Sequence, residues 1–132
     1  MLYRTFLRAL IIGGRVTAVD AEGAAIITVV GELIDAADLV QLERVEVRPL
    51  SGGATVAAVL LRGPAGGGAI RVGGGLGGLE DGCRVEIAAW SVADRTELPG
   101  LRARIVAVDA DNRVVETLEV PVAGSDELPG LG

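Results

Sequence analysis

"RARIVAVDADNRVVE", residues 102–116, is the stretch on which the reading of the fold turns. In its first half Ala103, Ile105, Ala107 and Asp109 alternate with Arg104, Val106 and Val108, the period-two pattern of a strand whose side chains point to opposite faces. A second β-branched run begins at Val114 after a polar turn. The same pattern continues outward along the chain. Runs rich in Val, Ile, Leu and Ala at residues 3–12, 15–20, 25–30, 44–49, 54–61, 69–72, 84–91, 103–109 and 114–120 read as short strands joined by turns. In "RVEVRPL" Val45, Val47 and Pro49 face one way. Strand spacings of about 8–15 residues argue for a closed, mainly β barrel rather than a parallel sheet with crossover helices.

With 132 residues the chain suits one domain, expected over residues 1–122, with residues 123–132 as a loosely held tail rich in Gly, Ser, Asp and Pro. Half of the residues are hydrophobic, yet Tyr3, Phe6 and Trp90 are the only aromatics, so the core must be aliphatic. The net charge is −6, every cation is an arginine, and the arginines are scattered. That distribution excludes nucleic acid as a partner, because phosphate tracking needs a concentrated positive face. The single cysteine, Cys83, excludes an intrachain disulfide and reads as a small apolar residue. The apolar run at residues 7–12 is too short, and too interrupted by Arg8, Gly13, Gly14 and Arg15, for a secretion signal. No stretch reaches the roughly 20 apolar residues of a membrane span, so a cytoplasmic protein is expected. Without histidine or lysine, imidazole bases, Schiff-base lysines and histidine metal sites are excluded. No metal is expected.

Two helical pieces interrupt the strands. "ELIDAADLVQLE", residues 32–43, places Leu33, Ala36, Ala37 and Val40 on one face. A shorter turn is expected around "GGLEDG", with Leu79 plugging a barrel end. The glycine-rich segment at residues 63–78 lacks the strand-to-helix setting of a phosphate loop, and its glycines read as positive-φ or close-approach positions. "ELPGL" occurs at residues 97–101 and 127–131, and both copies suit a type II turn.

"RTFLRALI", "RVTAVD", "LIDAADL", "ERVEV" and the segment at residues 102–116 together resemble the pyruvoyl-dependent aspartate 1-decarboxylase family, over about residues 1–116. The resemblance implies a double-psi β-barrel assembled as a tetramer, with sites between subunits. It also implies a proenzyme that cuts itself at a Gly-Ser bond, turning the serine into a pyruvoyl group that forms an imine with the substrate amine and draws electrons from it as CO₂ leaves. Anchored without gaps on "VTAVD" and "LIDAADL", that bond falls on Ala25-Ile26; a two-residue gap that matches Gly23 moves the serine position to Ala24. None of these residues has the hydroxyl or thiol that an N-to-O acyl shift requires. Thr28, two residues further on, reads as a β-branched strand residue. The resemblance further sets Leu10 at the family's substrate-binding lysine, Thr55 at its arginine, Val59 at its tyrosine, Ala58 at its threonine and Gly73 at the asparagine of its Asn-Gly turn, leaving Gly74 as the family has it.

The expectation from these changes is a homologue that forms no pyruvoyl cofactor and has no intact catalytic residues. It would act as a structural or regulatory subunit, in a homo-oligomer, tetrameric by family, or in a hetero-oligomer with an active paralogue. The alternative is a repurposed enzyme or binding protein that holds an apolar small molecule at an interface pocket, with Asp20 or Tyr3 for acid/base work. Conventional aspartate decarboxylation comes third.

Overall fold

The computed structural model describes residues 2–76 and 78–122. The expected tail and the second "ELPGL" lie outside the described residues. The strands are β1 (Tyr3–Arg15), β2 (Ala18–Asp20), β3 (Ile26–Val30), β4 (Arg44–Pro49), β5 (Val56–Gly63), β6 (Ile70–Gly73), β7 (Arg84–Asp94), β8 (Arg102–Val108) and β9 (Val114–Pro121). One helix, α1 (Gly31–Ala37), follows β3. All nine strands form a single sheet in the order β2-β6-β3-β5-β4-β7-β1-β8-β9. The pairs β1/β8, β2/β6 and β3/β5 are parallel, and the other pairs are antiparallel.

Alternation explains which face is buried. In β7, Val85, Ile87 and Ala89 are buried while Glu86, Ala88 and Trp90 are not; β4 does the same with Val45 and Val47, and β5 with Ala58 and Leu60. The resulting core contains no aromatic side chain: Ile11, Ile27, Leu33, Ile34, Leu60, Ile70, Leu76 and Ile87 are its largest fully buried members, and Cys83 packs at its margin. Burying a side chain of this size is worth roughly 1.5–3 kcal/mol.

β1 runs on through Gly13 and Gly14, where the sequence suggested a break, because Gly13 takes φ +93° and the pairing with β7 shifts register there. The helix, in contrast, is shorter than its spacing predicts. Asp38 adopts the left-handed conformation (φ 56°, ψ 42°), and the Leu39 amide donates to the Ile34 carbonyl at 2.9 Å, which closes the last turn. Leu39 is therefore buried with Leu33, Ile34 and Ala37, and Val40 stands 64 % exposed instead of joining their face. Near "GGLEDG" the one-turn 3-10 helix comes earlier, at Gly74–Leu76, although Leu79 is buried as expected, together with Leu76. The first "ELPGL" forms a 3-10 turn (Leu98–Gly100) and not a type II turn, since Gly100 is not at positive φ.

Asn112, in the β8–β9 turn, is the one buried polar side chain among the described residues. Its Oδ1 accepts from the Arg15 amide at 2.7 Å, and its Nδ2 donates to the carbonyls of Arg15 (2.9 Å) and Gly68 (2.7 Å). Gly68 lies in the β5–β6 connection and Arg15 ends β1, so this side chain ties the β9 end of the sheet to the β6 end.

The same turn is shaped by Asp109, whose Oδ1 accepts from the amides of Arg113 (3.0 Å) and Asp111 (2.9 Å). Those bonds, that of Arg113 first, hold its carboxyl below the ordinary 3.8. The Arg62 guanidinium lowers Asp35, and the Thr96 hydroxyl lowers Asp94. A carboxylate lowered in the folded state contributes stability that is present above its unfolded value and lost as the pH falls through the folded one. The thermal midpoint is therefore expected to drop as the pH is taken from about 5 to about 2, and Asp109→Asn should flatten part of that drop. Equal slopes for the variant and the parent would show that this turn carries no differential protonation.

Candidate functional site

The chain enters the candidate site through the loop between β2 and β3. Asp20 shapes it: its Oδ1 accepts from the Glu22 amide at 3.2 Å and its carbonyl accepts from the Gly23 amide at 3.0 Å. This is turn-capping chemistry. The Ile26 amide then donates back to the Ala24 carbonyl at 2.8 Å in a tight three-residue turn, and the Ala25 carbonyl accepts from the Val59 amide at 3.0 Å. From Ile26 onward the backbone lies in the ladder, with Ile26 opposite Val59 on β5 and Ile27 opposite Val72 on β6.

Two glycines hold the loop from the other side. A Cβ on Gly73 would stand 1.8 Å from the Ala24 carbonyl oxygen, and one on Gly74 would stand 2.2 Å from that of Ala21. Both obstacles are backbone atoms, so only glycine permits the approach. Gly23 also lies against this strand end, its notional Cβ 3.1 Å from the Gly73 Cα.

The structure thus brings together Ala25, Ile26, Val59, Gly73 and Gly74. Ala58 points the other way, into the main core. Thr55 is exposed, outside β5 and four residues before Val59, about 13 Å along the strand direction. Leu10 is on β1, three strands from β5 in the sheet order and so about 14 Å across it, and it packs with Ile12 and Leu118 on Ala103, Ile105 and Val120. Leu10, Ala88, Glu46 and Ala57 nonetheless stand in register across β1, β7, β4 and β5, on the face that also presents Val59. Within one chain Leu10 and Val59 share one face of the sheet but stand apart on it, and Ala58 lies on the other.

The residue that the sequence reasoning passed over is Arg44. It opens β4 directly opposite Val59 and is exposed, which sets a cation beside the Ile26/Val59 pair. Its signal was a charged residue at the first position of an alternating strand. Tyr3 is far from this cluster, at the β1 end and in register with Asp94. Thr28, the one hydroxyl between Asp20 and Val30, sits in mid-strand, paired with Leu61 and Arg71.

The family model for aspartate decarboxylase matches residues 2–115. The chain belongs to the aspartate decarboxylase family. An aspartate 1-decarboxylase from Acaryochloris marina (strain MBIC 11017) is 32 % identical over 128 residues, which span 96 % of this chain and 98 % of that protein. The family match covers every strand up to the first residues of β9, so the loop at residues 21–25 and the glycines facing it fall inside the shared region. Among the described residues no cluster of three or more His, Cys, Asp or Glu side chains is arranged to hold a metal ion, and no helix is long and apolar enough to cross a membrane.

Proposed function

We propose that this chain is a member of the aspartate decarboxylase family that does not process itself, and that it works as a structural or regulatory subunit of an oligomer built on a double-psi β-barrel. The observation that carries the reading is the residue after the Ala25 carbonyl. An N-to-O acyl shift needs an oxygen or sulfur at that position, and Ile26 has neither. The residues present do not fit a pyruvoyl group: Ile26 and Val59 make the local surface apolar, and the position of the family's asparagine is Gly73, packed against Ala24. The outward face shared by Leu10, Ala57 and Val59, continued on β7 by Trp90 and Val92 at 45 % and 65 % exposure, supports assembly with another copy or a paralogue.

The intact mass under denaturing conditions tests this directly. A single species of 13.4 kDa is expected, and Ile26→Ser is expected to remain uncut as well, since one hydroxyl does not bring back the asparagine and tyrosine that the family has where Gly73 and Val59 stand. Two fragments meeting between residues 23 and 28 in the unaltered chain would overturn the reading and restore decarboxylation, the activity in the name of the relative from Acaryochloris marina.

A second reading has its own support in Arg44. A cation next to an apolar pair is a reasonable anchor for an anionic, largely apolar small molecule, which is the repurposed-pocket alternative. Under that reading Arg44→Ala abolishes ligand binding without changing the oligomeric state; under the first it changes neither.

A further inference from the structure

We propose a ligand site for a small apolar carboxylate at the far end of the β1/β7 ribbon, away from the family site and independent of the reading above. A cavity of about 660 Å³ is lined there by Leu2, Arg4, Phe6, Ala93, Arg95 and Leu98, with Asp94 and Thr96 at the turn. Its volume lies within the range of small-molecule sites.

The sequence builds it by alternation. Leu2, Arg4 and Phe6 are two residues apart and point to one side, and the register sets Arg4 opposite Ala93 and Phe6 opposite Ser91. Leu98, in the 3-10 turn after β7, faces the same space. The walls are thus aliphatic and aromatic, and the charged groups are two arginines against one carboxylate, that of Asp94.

Those arginines are uncommitted. Arg8, Arg48, Arg62 and Arg104 form salt bridges with Glu43, Glu86, Asp35 and Glu119, and Arg84 donates to the carbonyls of Gly13 and Val108. Among the described residues, Arg4 and Arg95 have no such partner. The nearby acids form no salt bridge with them, and both accept hydrogen bonds from the turn itself. Asp94 Oδ1 accepts from the Thr96 hydroxyl (2.6 Å) and from the amides of Thr96 (3.0 Å) and Glu97 (3.2 Å), while Glu97 Oε1 accepts from the Asp94 amide (3.0 Å). A more polar cavity of about 570 Å³ around Arg15 and Arg113 sets two acids, Glu32 and Asp111, against its two arginines, whereas here only Asp94 stands against Arg4 and Arg95. Two guanidinium groups over an apolar floor select one acidic head and an apolar body, through charge-assisted hydrogen bonds and burial.

The test titrates ¹⁵N-labelled full-length protein with 3-phenylpropionate and, in parallel, with the neutral 3-phenylpropan-1-ol. Amide shifts that saturate at residues 2–6 and 93–98 are expected for the acid. The alcohol, and Arg4→Ala or Arg95→Ala with the acid, should each bind about tenfold more weakly or worse. Arg44→Ala serves as a control that keeps full affinity here, and it separates this site from the Ile26/Val59 surface. Shifts confined to other residues, equal affinity for acid and alcohol, or unchanged affinity in Arg4→Ala and Arg95→Ala would each overturn the proposal. Both arginines are exposed on the ribbon, so unchanged amide spectra elsewhere will show that the variants are folded.

Discussion

Gly73→Ala should destabilise the protein by about 3 kcal/mol or more, measured as a shift in the urea midpoint with the slope unchanged. The added methyl would lie 1.8 Å from the Ala24 carbonyl oxygen, well inside contact distance, and no flexible side chain is available to swing away. To make room the loop must move as a unit. That movement strains or breaks the hydrogen bonds from the Ile26 amide to Ala24 and from the Val59 amide to Ala25. Gly67→Ala is the matched control, since its Cβ meets nothing within 4 Å and its φ is not positive, and it should change stability by less than about 0.5 kcal/mol. Gly73→Asn should be at least as damaging, which ties the loop conformation to the loss of a side chain at position 73. A small loss in Gly73→Ala would mean that residues 21–25 are only loosely seated on β6, and the loop could then open to admit a ligand.

The second large effect is expected at Asn112. Asn112→Ala leaves the Arg15 amide and the carbonyls of Arg15 and Gly68 without their partner, at a cost of about 3 kcal/mol, because each orphaned group loses its bond and is imperfectly hydrated. It also puts a residue poorly suited to positive φ at 59°. Asn112→Gly separates the two contributions, since glycine keeps the conformation and loses only the bonds; it should be more stable than the alanine variant by about 1 kcal/mol. Thermal unfolding of the three proteins side by side measures both quantities. A loss below about 1 kcal/mol in Asn112→Ala would show that water replaces the side chain and that the sheet ends hold together without it.

Much of the fold was legible because alternation survives in β4, β5 and β7. Val45 and Val47, or Ile87 against Glu86, state their face without reference to anything distant, whereas β8 buries Val106 on one side and Ile105 on the other. What was not legible depends on backbone conformation or on distant partners. Nothing in "DAADLV" says that Asp38 turns left-handed, since the usual glycine is absent there, so the 3.6-residue spacing carried the helix on to Val40. Gly13 and Gly14 look like a break, yet a bulge lets β1 run through them. At the candidate site, residue types alone showed that positions 25 and 26 carry no nucleophile. They did not show that Gly73 and Ala24 are in contact, so that two separate differences from the family pattern form one packed unit. Neither could they show that Leu10 and Thr55 lie away from Ile26 in the same chain, because that follows from sheet order, to which local pattern is blind.

The Asn112 bridge also bears on how the molecule comes into being. It joins residues 97 apart in sequence, and among the described residues β1 pairs with β7 and β8, both made well after it. During synthesis β1 must wait, edges unpaired, until β7 at Arg84–Asp94 has left the ribosome. Loop-closure entropy of this kind slows folding and leaves a sticky nascent strand available to other chains.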